Sequence, residues 1–388
     1  MKMRAAVLRE SSLPRPYSSS RPLSIEEVDL EAPREGEVLI QIKAVGLCHS
    51  DLVAISGERG KPMPIVIGHE AAGIIVELGK NVNDFEVDNH VVPSYVASCG
   101  KCDMCKSGRP ALCEPATISN AQAVLRDGTT RLKKDGKIIH HHSGVAGFAE
   151  YAVLPKEALV KIDSHIPFEH AALFGCGVVT GVGAVINTAN AREEDSVAIV
   201  GLGGVGLSAL LASIAIGSKK TIAIDLSEEK LALARELGAD HILNPKDENF
   251  LEKIGDLTSG GVNIAVETAG SGHALKTAYD ITRRGGTTVT AGMPGPKVEI
   301  TLSHLSIAAE ERTIKGSYMG SCIAQRDIPK YLGMFQTGKL PVDRLLSRKI
   351  KFEDLNEAMD RLDDAKTVRE VLIPVSYTHL TLPTIYSV

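Results

Sequence analysis

The fold is decided by the stretch Val197-Ala198-Ile199-Val200-Gly201-Leu202-Gly203-Gly204-Val205-Gly206. A short apolar run leads directly into Gly-x-Gly-x-x-Gly, and an uncharged helical stretch follows it. In such a strand–turn–helix unit the first two glycines permit a tight turn and a close approach of a pyrophosphate to backbone N–H groups, and the third lets helix and strand pack. The helix N-terminus adds a favourable partial positive charge. The stretch therefore predicts a dinucleotide site at Gly201, Gly203, Gly204 and Gly206, with a purely structural glycine turn as the alternative.

The residues after this turn continue the alternation of strand and helix. The predicted elements are strands at 221–225, 262–267 and 287–291 and an amphipathic helix at 228–237. This alternation favours a parallel sheet with right-handed crossovers. Asp225 closes the second strand, where a carboxylate accepts hydrogen bonds from the adenosine ribose and repels a 2′-phosphate. Leu226 follows it with no adjacent arginine, so NAD is favoured over NADP.

Composition excludes several classes of protein. The chain has 388 residues, of which 44% are hydrophobic and 23% charged. At about 100–200 residues per domain this predicts two or three globular domains, not a disordered chain. The formal charge of −5 gives no electrostatic footprint for nucleic acid or for an anionic membrane.

One apolar stretch invites comparison with a membrane span. Residues 197–217 carry no charge over 21 positions, but they include five glycines and fit a buried strand–turn–helix better. The first ten residues contain no apolar run long enough for a secretory signal. Together these features predict a cytoplasmic chain, in which thiols stay reduced and can bind metal.

The two ends of the chain differ in texture from the middle. About the first 150 residues show short strands between turns, for example at 37–45 and 65–67, as expected of an all-β or α+β lobe. Beyond about Gly320 a helix at 354–363 and a strand at 371–373 are predicted. Residues 376–388 contain no Asp, Glu, Lys or Arg, and we interpret them as a non-native extension whose deletion leaves activity intact.

Four of the seven cysteines lie close together. Their spacing is Cys99-x2-Cys102-x2-Cys105-x7-Cys113. Thiolates at this spacing can complete a closed tetrahedral zinc site. An iron–sulfur cluster is the alternative, but ferredoxin runs continue with a three-residue gap and a proline, whereas here the gap is seven residues and Glu114 follows.

Two further cysteines and one histidine are far apart in sequence. Cys48, His69 and Cys176 together have the donor types of a catalytic zinc with an open fourth position, although the sequence does not show that they meet. Cys322 has no partner in this scheme. His140-His141-His142 lies between Lys137 and Gly144, and we expect it to form a solvated loop.

A longer pattern, Gly68-His69-Glu70-x2-Gly73-x5-Gly79-x2-Val82, resembles the zinc signature of the medium-chain alcohol dehydrogenases, in particular the liver-type branch of long chain length. The resemblance implies an α/β fold in which a Rossmann doubly wound parallel sheet is inserted into a β-rich GroES-like catalytic domain. The implied boundaries are 1–177 for the first catalytic part, with a structural zinc lobe at about 95–115, then 178–320 for the NAD-binding domain and 321–375 for the return segment.

The resemblance also implies roles for individual residues. Two zinc ions are expected per chain, a catalytic one on Cys48, His69 and Cys176 and a structural one on Cys99, Cys102, Cys105 and Cys113. Asp51 would orient His69, Glu70 would sit behind the metal, and Ser50 would pass the alcohol proton onward. The implied cofactor contacts are His49, Thr180, Val205, Asp225, Lys230 and Arg369, and Tyr95 matches a position that lines the substrate pocket.

The implied activity is reversible hydride transfer between NAD and a primary, aromatic or secondary alcohol, in a homodimer or, alternatively, a homotetramer. Val53 stands where liver-type relatives often carry the histidine that ends the proton relay. A glutathione-dependent formaldehyde or polyol dehydrogenase is the alternative activity. The formaldehyde branch places an arginine shortly after the last lobe cysteine, whereas this chain has Glu114-Pro115-Ala116-Thr117. A zinc-free reductase of the same superfamily and a non-enzymatic NAD-binding protein are more distant alternatives.

Overall fold

The computed structural model describes residues 1–374, so the predicted extension at 376–388 lies outside the described residues. The strands of this part of the chain are β1 Lys2–Leu8, β2 Leu23–Leu30, β3 Glu37–Gly46, β4 Ile65–Val66, β5 Glu70–Leu78, β6 His90–Pro93, β7 Leu132–Lys134, β8 Lys137–His141, β9 Tyr151–Pro155, β10 Leu159–Lys161, β11 Ser196–Val200, β12 Lys220–Ile224, β13 His241–Leu243, β14 Val262–Glu267, β15 Thr282–Thr290, β16 Thr313–Gly316, β17 Leu346–Ile350 and β18 Arg369–Leu372. The α-helices are α1 Tyr17–Ser20, α2 His49–Ser56, α3 Asp103–Lys106, α4 Glu114–Gln122, α5 Phe168–Ala171, α6 Gly177–Gly183, α7 Gly204–Ala215, α8 Glu228–Leu237, α9 Phe250–Thr258, α10 Gly272–Asp280, α11 His304–Ala309, α12 Ala324–Gln336 and α13 Leu355–Asp363.

The middle of the chain forms a six-stranded sheet in the order β13-β12-β11-β14-β15-β16. All of its pairings are parallel, which confirms the expected parallel sheet and the Rossmann-like architecture. The strand β11 lies between β12 and β14, and all five of its residues are buried. An interior strand covered on both faces has no solvent-facing side, which explains why its sequence is continuously apolar.

The remaining strands form a β-rich catalytic part. A closed barrel is made by β1-β2-β7-β8-β4, and a seven-stranded sheet runs β10-β6-β5-β3-β18-β17 with β9 added beside β3. The last strand, β18, pairs antiparallel with β3, so the C-terminal segment returns to the sheet built by the first part of the chain. This is the split arrangement that the family resemblance implies, and the domain boundaries themselves stay predictions.

The glycine turn between β11 and α7 is shaped by close backbone contacts. Gly201 has φ +93°, in the left-handed region that favours glycine. A Cβ on Gly206 would lie 1.8 Å from the Gly201 carbonyl oxygen, so this glycine permits the helix to start against the strand. A Cβ on Gly203, in contrast, would meet no atom of the described protein within 4 Å. The protein itself therefore does not require glycine there, whereas a ligand resting on the turn would.

The helix α6 joins the two parts of the molecule. It begins directly after Cys176, and a Cβ on Gly181 would lie 2.1 Å from the carbonyl oxygen of Val205. Glycine at this position lets α6 pack closely on the start of α7. The contact places Cys176 beside the glycine turn, and it links the metal-ligand candidates to the cofactor-site candidates.

Within residues 1–374 no single helix is both long and apolar enough to cross a bilayer, although the bent pair Phe168–Gly175 and Gly177–Ala189 meets these criteria together across a 57° break. The segment Gly177–Gly183 of that pair is wholly buried inside the protein. The uncharged stretch at 197–217 forms β11, the glycine turn and α7, as the sequence predicts.

Candidate metal centre and cofactor cleft

Cys48 and His69 are brought together by the register of two antiparallel strands. In the β3–β5 pair Gly46 lies opposite Glu70, so the residues just after β3 and just before β5 meet at one end of the sheet. Cys48 caps the N-terminus of α2 there, and His69 directly precedes β5. The pairing of the two strands therefore brings Cys48 and His69 together, although they are 21 positions apart in the sequence.

Asp51 ties this corner together. Its Oδ2 accepts a hydrogen bond from the Cys48 backbone N–H at 3.0 Å, and its Oδ1 accepts one from the Gly68 N–H at 3.0 Å. The same Oδ1 lies 3.5 Å from Nδ1 of His69. Burial opposes ionisation of this carboxyl, but the charge of His69 and a hydrogen bond from His142 hold its pKa well below the usual range. A carboxylate behind a ligand histidine fixes the orientation of the ring, which is the role expected of Asp51.

Cys176 completes the donor set. The ligand atoms of Cys48, His69, Glu70 and Cys176 all lie within 4.8 Å of one another, and all four residues are buried. Both cysteines are free thiols. A hydrogen bond from the Cys176 thiol lowers the pKa of the Cys48 thiol well below its ordinary value. Two thiols and an imidazole that converge in a buried corner fit zinc, whose catalytic sites take three protein ligands and leave one position open.

Arg369 connects this corner with the cofactor turn. Its guanidinium donates to Oε1 of Glu70 and to the Leu47 carbonyl, each at 3.1 Å. Burial raises the pKa of Glu70 to about 8, although the charge of Arg369 opposes that rise. A Cβ on Gly204 would lie 2.0 Å from Nε of Arg369, so the guanidinium rests directly on the start of α7. The arrangement places a buried cation between the metal corner and the predicted pyrophosphate site.

The four remaining cysteines of the predicted structural site also converge. The thiols of Cys99, Cys102, Cys105 and Cys113 lie within 4.8 Å of one another. The backbone N–H groups of Lys101 and Cys102 lower the pKa of the Cys99 thiol to about 6, because they donate hydrogen bonds to its sulfur. Four thiols around one point are the donors of a closed tetrahedral zinc site. Cys322 is buried and belongs to neither cluster.

The cofactor-contacting candidates border the glycine turn and the strands beside it. Oδ2 of Asp225 accepts a hydrogen bond from the Leu202 N–H at 2.6 Å and Oδ1 accepts one from the Ser227 N–H at 2.9 Å, so the carboxylate is held at the edge of the turn. Ser227 in turn caps α8 through the Lys230 N–H at 3.4 Å. Val205 lies in the first turn of α7.

Two further candidates come from the catalytic part of the chain and from α6. Thr180 is buried on α6, and its hydroxyl has no hydrogen-bond partner among the described residues. His49 is exposed at the first position of α2. An unpartnered buried hydroxyl between Cys176 and the glycine turn suits a residue that donates to a bound cofactor.

A cavity of about 340 Å³ opens beside His69. Ser50 and Tyr95 line it, as the resemblance implies for a proton-transfer residue and a pocket residue. Ser50 Oγ lies 3.7 Å from Sγ of Cys48, and the ring of Tyr95 stands edge-on to that of His69 with centroids 5.5 Å apart. The cavity therefore reaches the candidate metal ligand His69 and borders the neighbourhood of Cys48.

Comparison with known proteins identifies the family of this chain. Residues 204–337 match the zinc-binding dehydrogenase family, and residues 34–164 match the alcohol dehydrogenase GroES-like domain. An S-(hydroxymethyl)glutathione dehydrogenase of Synechocystis sp. is 34% identical over 376 residues, which cover 96% of this chain and 100% of the relative. The chain belongs to the zinc-dependent medium-chain alcohol dehydrogenase family.

Other relatives also match over nearly the whole of both chains. A protein of the same description from Paracoccus denitrificans is 33% identical, with 96% of this chain and 100% of the relative covered. The crystal structure of a benzyl alcohol dehydrogenase from Acinetobacter calcoaceticus matches with a TM-score of 0.90 at 32% identity, covering 97% of this chain and 100% of that one. An alcohol dehydrogenase zinc-binding domain protein from Burkholderia ambifaria gives 0.91 at 33% identity, with the same two shares covered.

The interpretation of His140–His142 as a solvated loop is wrong for this dehydrogenase. His141 is 1% and His142 4% exposed; His141 is the last residue of β8, a strand of the closed barrel, and His142 follows it directly. Nδ1 of His142 lies 3.5 Å from Oδ1 of Asp51, so one carboxylate oxygen faces two imidazoles. His142 also lines the cavity. Three consecutive histidines were the only signal in the sequence, and they do not reveal burial.

Three residues that line the cavity, Arg59, Lys61 and Tyr318, were not predicted from the sequence, since no motif distinguishes them from other residues of their type. Arg59 and Lys61 lie in the segment after α2 and line the same cavity as His69 and Ser50. Tyr318, from the far end of the cofactor domain, closes another side with its ring centroid 6.1 Å from that of Tyr95. Only the tertiary structure places these residues in the wall of the cavity beside His69.

Proposed function

We propose that the chain is an NAD-dependent alcohol dehydrogenase with one catalytic and one structural zinc ion, which transfers hydride reversibly between NAD and a primary, aromatic or secondary alcohol. The observation that carries this proposal is the convergence of Cys48, His69 and Cys176 beside a cavity that His69 lines, with Arg369 in contact with both this corner and the start of α7. A zinc ion held there supplies Lewis-acid polarisation of the substrate oxygen.

The chain's own residues account for the other requirements of the reaction. Asp51 holds His69 in place through its carboxylate and anchors the backbone of Cys48. Ser50 lines the cavity beside Cys48 and is positioned to take up the alcohol proton and pass it on. Val53 also lines the cavity and has no titratable group, so the proton continues to solvent or through His49.

The choice of NAD is supported by the environment of Asp225. Its carboxylate is oriented by two backbone N–H groups at the end of β12, where an adenosine ribose would lie. Leu226 beside it is 57% exposed and brings no positive charge for a 2′-phosphate. A carboxylate in this position repels a 2′-phosphate and accepts a hydrogen bond from a free ribose hydroxyl.

The alternative activity is that of a glutathione-dependent formaldehyde dehydrogenase. It is favoured by the names of relatives that are 33–34% identical. The benzyl alcohol dehydrogenase neighbour, 32% identical, favours an aromatic alcohol instead. The Glu114-Pro115-Ala116-Thr117 segment lacks the arginine expected of the formaldehyde branch, so we place simple alcohols first.

We further propose that the chain forms a homodimer. The strand β16 lies at the edge of the six-stranded sheet, and all four of its residues are exposed. An uncovered edge presents unpaired backbone groups that a second copy can pair with. Light scattering after size-exclusion chromatography distinguishes this state from a monomer or a homotetramer.

The test is an NADH-absorbance assay over primary, secondary and aromatic alcohols and over S-(hydroxymethyl)glutathione, together with zinc analysis. We expect two zinc ions per chain and NAD reduction with simple alcohols. Ser50→Ala should lower kcat by about 100-fold or more, because general acid–base groups contribute at least that much. Cys48→Ser, the control for the metal, should lose activity together with one zinc ion. No NAD reduction with any alcohol and no aldehyde reduction in reverse would exclude the proposal.

A further inference from the structure

The cavity beside His69 carries an uncompensated positive charge. Arg59 and Lys61 both line it, and no aspartate or glutamate does so among the described residues. Within residues 1–374 both side chains donate hydrogen bonds to backbone carbonyls, and neither forms an ion pair with a carboxylate. Removing a cation from water without a counterion costs free energy, so two such cations on the wall of one cavity favour an anionic ligand.

Lys61 is held in the wall of the cavity. Its ammonium donates to the Asn120 carbonyl at 2.9 Å, and the Asn120 side chain donates in turn to the Tyr95 carbonyl at 2.7 Å. A lysine ammonium has three N–H donors, and one acceptor is found for it within the described chain. Burial, reinforced by the charge of Arg59, lowers the pKa of Lys61. Its position thus costs free energy that an anionic ligand would recover.

Arg59 adds a second cation at the same side. Its guanidinium donates to the carbonyl oxygens of Met293 at 2.7 Å and Pro294 at 3.1 Å, both on the loop that follows β15. These contacts orient the guanidinium without neutralising it, since carbonyls carry no net charge. The two cations and the candidate zinc ligand His69 therefore border one cavity of about 340 Å³, which is at the small end of ligand sites.

We propose that the substrate is an alcohol or aldehyde that carries a carboxylate, and that Lys61, assisted by Arg59, binds this carboxylate while the reacting oxygen points to the corner of Cys48, His69 and Cys176. The inference deepens the proposed function and rests on it for the reacting group. It assigns to Lys61 a role in choosing the substrate, apart from the chemistry of hydride transfer. A charge-assisted hydrogen bond in a partly desolvated site gives such a preference because its strength exceeds that of a neutral one.

The test compares two isosteric probes, 4-(hydroxymethyl)benzoate and 4-(hydroxymethyl)benzamide, which differ in charge and not in size. Calorimetry on the zinc-loaded protein without cofactor measures the affinity for each, so that no turnover occurs. We expect at least tenfold tighter binding of the carboxylate, or about 1.4 kcal/mol. Lys61→Met and Lys61→Gln, which both remove the charge, should bring the ratio of affinities to within about threefold of one. Lys61→Arg should keep most of the preference.

Lys253→Met is the matched control. It removes the same charge from α9, where Lys253 pairs with Asp247 and does not line the cavity, so the ratio should stay at the wild-type value. Equal affinities of wild-type protein for the two probes, or a preference that survives Lys61→Met and Lys61→Gln, would overturn the inference even if simple alcohols are oxidised. A Lys61-dependent preference for the carboxylate in a protein that reduces no NAD would support the anion site and refute the proposed dehydrogenase activity.

Discussion

Individual side chains in the barrel are held by hydrogen bonds that depend on protonation. Nε2 of His141 accepts a hydrogen bond from the Arg131 backbone N–H at 3.1 Å, so this ring is neutral. Burial, reinforced by the charge of Arg131, lowers the pKa of His141 from 6.5 to about 3. The neighbouring guanidinium of Arg131 is itself fully buried between Glu37 and Asp127.

The lowered pKa of His141 predicts that the free energy of unfolding decreases in acid. Because the pKa of His141 is lower in the folded than in the unfolded protein, protonation of this residue favours unfolding. The free energy of unfolding is therefore unaffected by protonation of His141 above pH 6.5 and decreases as the pH falls from 6.5 toward 3. Between pH 7.5 and pH 5 we expect a loss of about 2 kcal/mol in the free energy of unfolding. Guanidinium denaturation followed by circular dichroism measures it.

His141→Gln is the control, because its amide oxygen can accept the same bond and does not titrate. The variant should be less stable than the wild type at pH 7.5 by no more than about 1 kcal/mol, and its stability should fall less between pH 7.5 and pH 5. If both proteins lose the same free energy over that range, His141 is not the group responsible.

At the scale of elements, the turn between β11 and α7 separates glycines required by packing from glycines available to a ligand. Gly206 faces the Gly201 carbonyl, whereas a Cβ on Gly203 would meet no described atom within 4 Å. The backbone of Gly203, with φ −73° and ψ −175°, is accessible to alanine. Gly206 is therefore required by the packing of the protein, whereas the lack of a side chain at Gly203 leaves room for a ligand.

Gly203→Ala and Gly206→Ala form a matched pair that tests this division. Gly203→Ala should leave the free energy of unfolding within about 0.5 kcal/mol of wild type but weaken NAD binding at least tenfold, because its methyl group occupies the approach of the pyrophosphate. Gly206→Ala should destabilise the protein by about 1–3 kcal/mol, because its Cβ overlaps backbone. Calorimetric NAD affinity and guanidinium denaturation check both. Unchanged NAD affinity in Gly203→Ala would refute the assignment.

At the scale of the whole molecule, the C-terminal segment is bound to residues more than 300 positions earlier. The Asn356 side chain accepts from the Leu23 N–H at 3.0 Å and donates to the Leu23 carbonyl at 2.9 Å, in a buried contact across 333 positions. Oδ1 and Oδ2 of Asp360 accept from the backbone N–H groups of Tyr17 and Ser18. The helix α13 thus binds the C-terminal segment to the N-terminal residues of the chain.

Asn356→Ala should lower the free energy of unfolding by about 1–3 kcal/mol for each backbone group of Leu23 that it leaves buried and unsatisfied. Turnover per folded molecule should stay at the wild-type level, since Asn356 does not line the cavity. Guanidinium denaturation followed by circular dichroism gives the first value and the NADH assay the second. Gln336→Ala, which removes an exposed amide that donates a hydrogen bond to Asp163 at the end of α12, is the control and should change stability by less than about 0.5 kcal/mol. Equal effects of the two substitutions would contradict this role of Asn356.

The sequence by itself determined the residue types of the metal and cofactor sites. Cysteine spacing indicates four thiolates on one ion because neighbours two residues apart can turn toward a common point. The apolar run before Gly201 identifies the first strand because a strand covered on both faces must be apolar throughout. These features are local, so a short stretch of chain is enough to reveal them.

Only the tertiary structure decided which distant residues meet. The pairing of Gly46 with Glu70 brings Cys48 to His69, and the packing of Gly181 on Val205 brings Cys176 beside the cofactor turn. Burial of His142 and the placement of Lys61 in the cavity wall depend on the barrel and on the loop after α2, which no local pattern specifies. Contacts of this kind arise from strand register and helix packing across the described chain. For that reason the residue types of the candidate metal ligands were predictable from the sequence, whereas the positive charge of the cavity beside His69 was not.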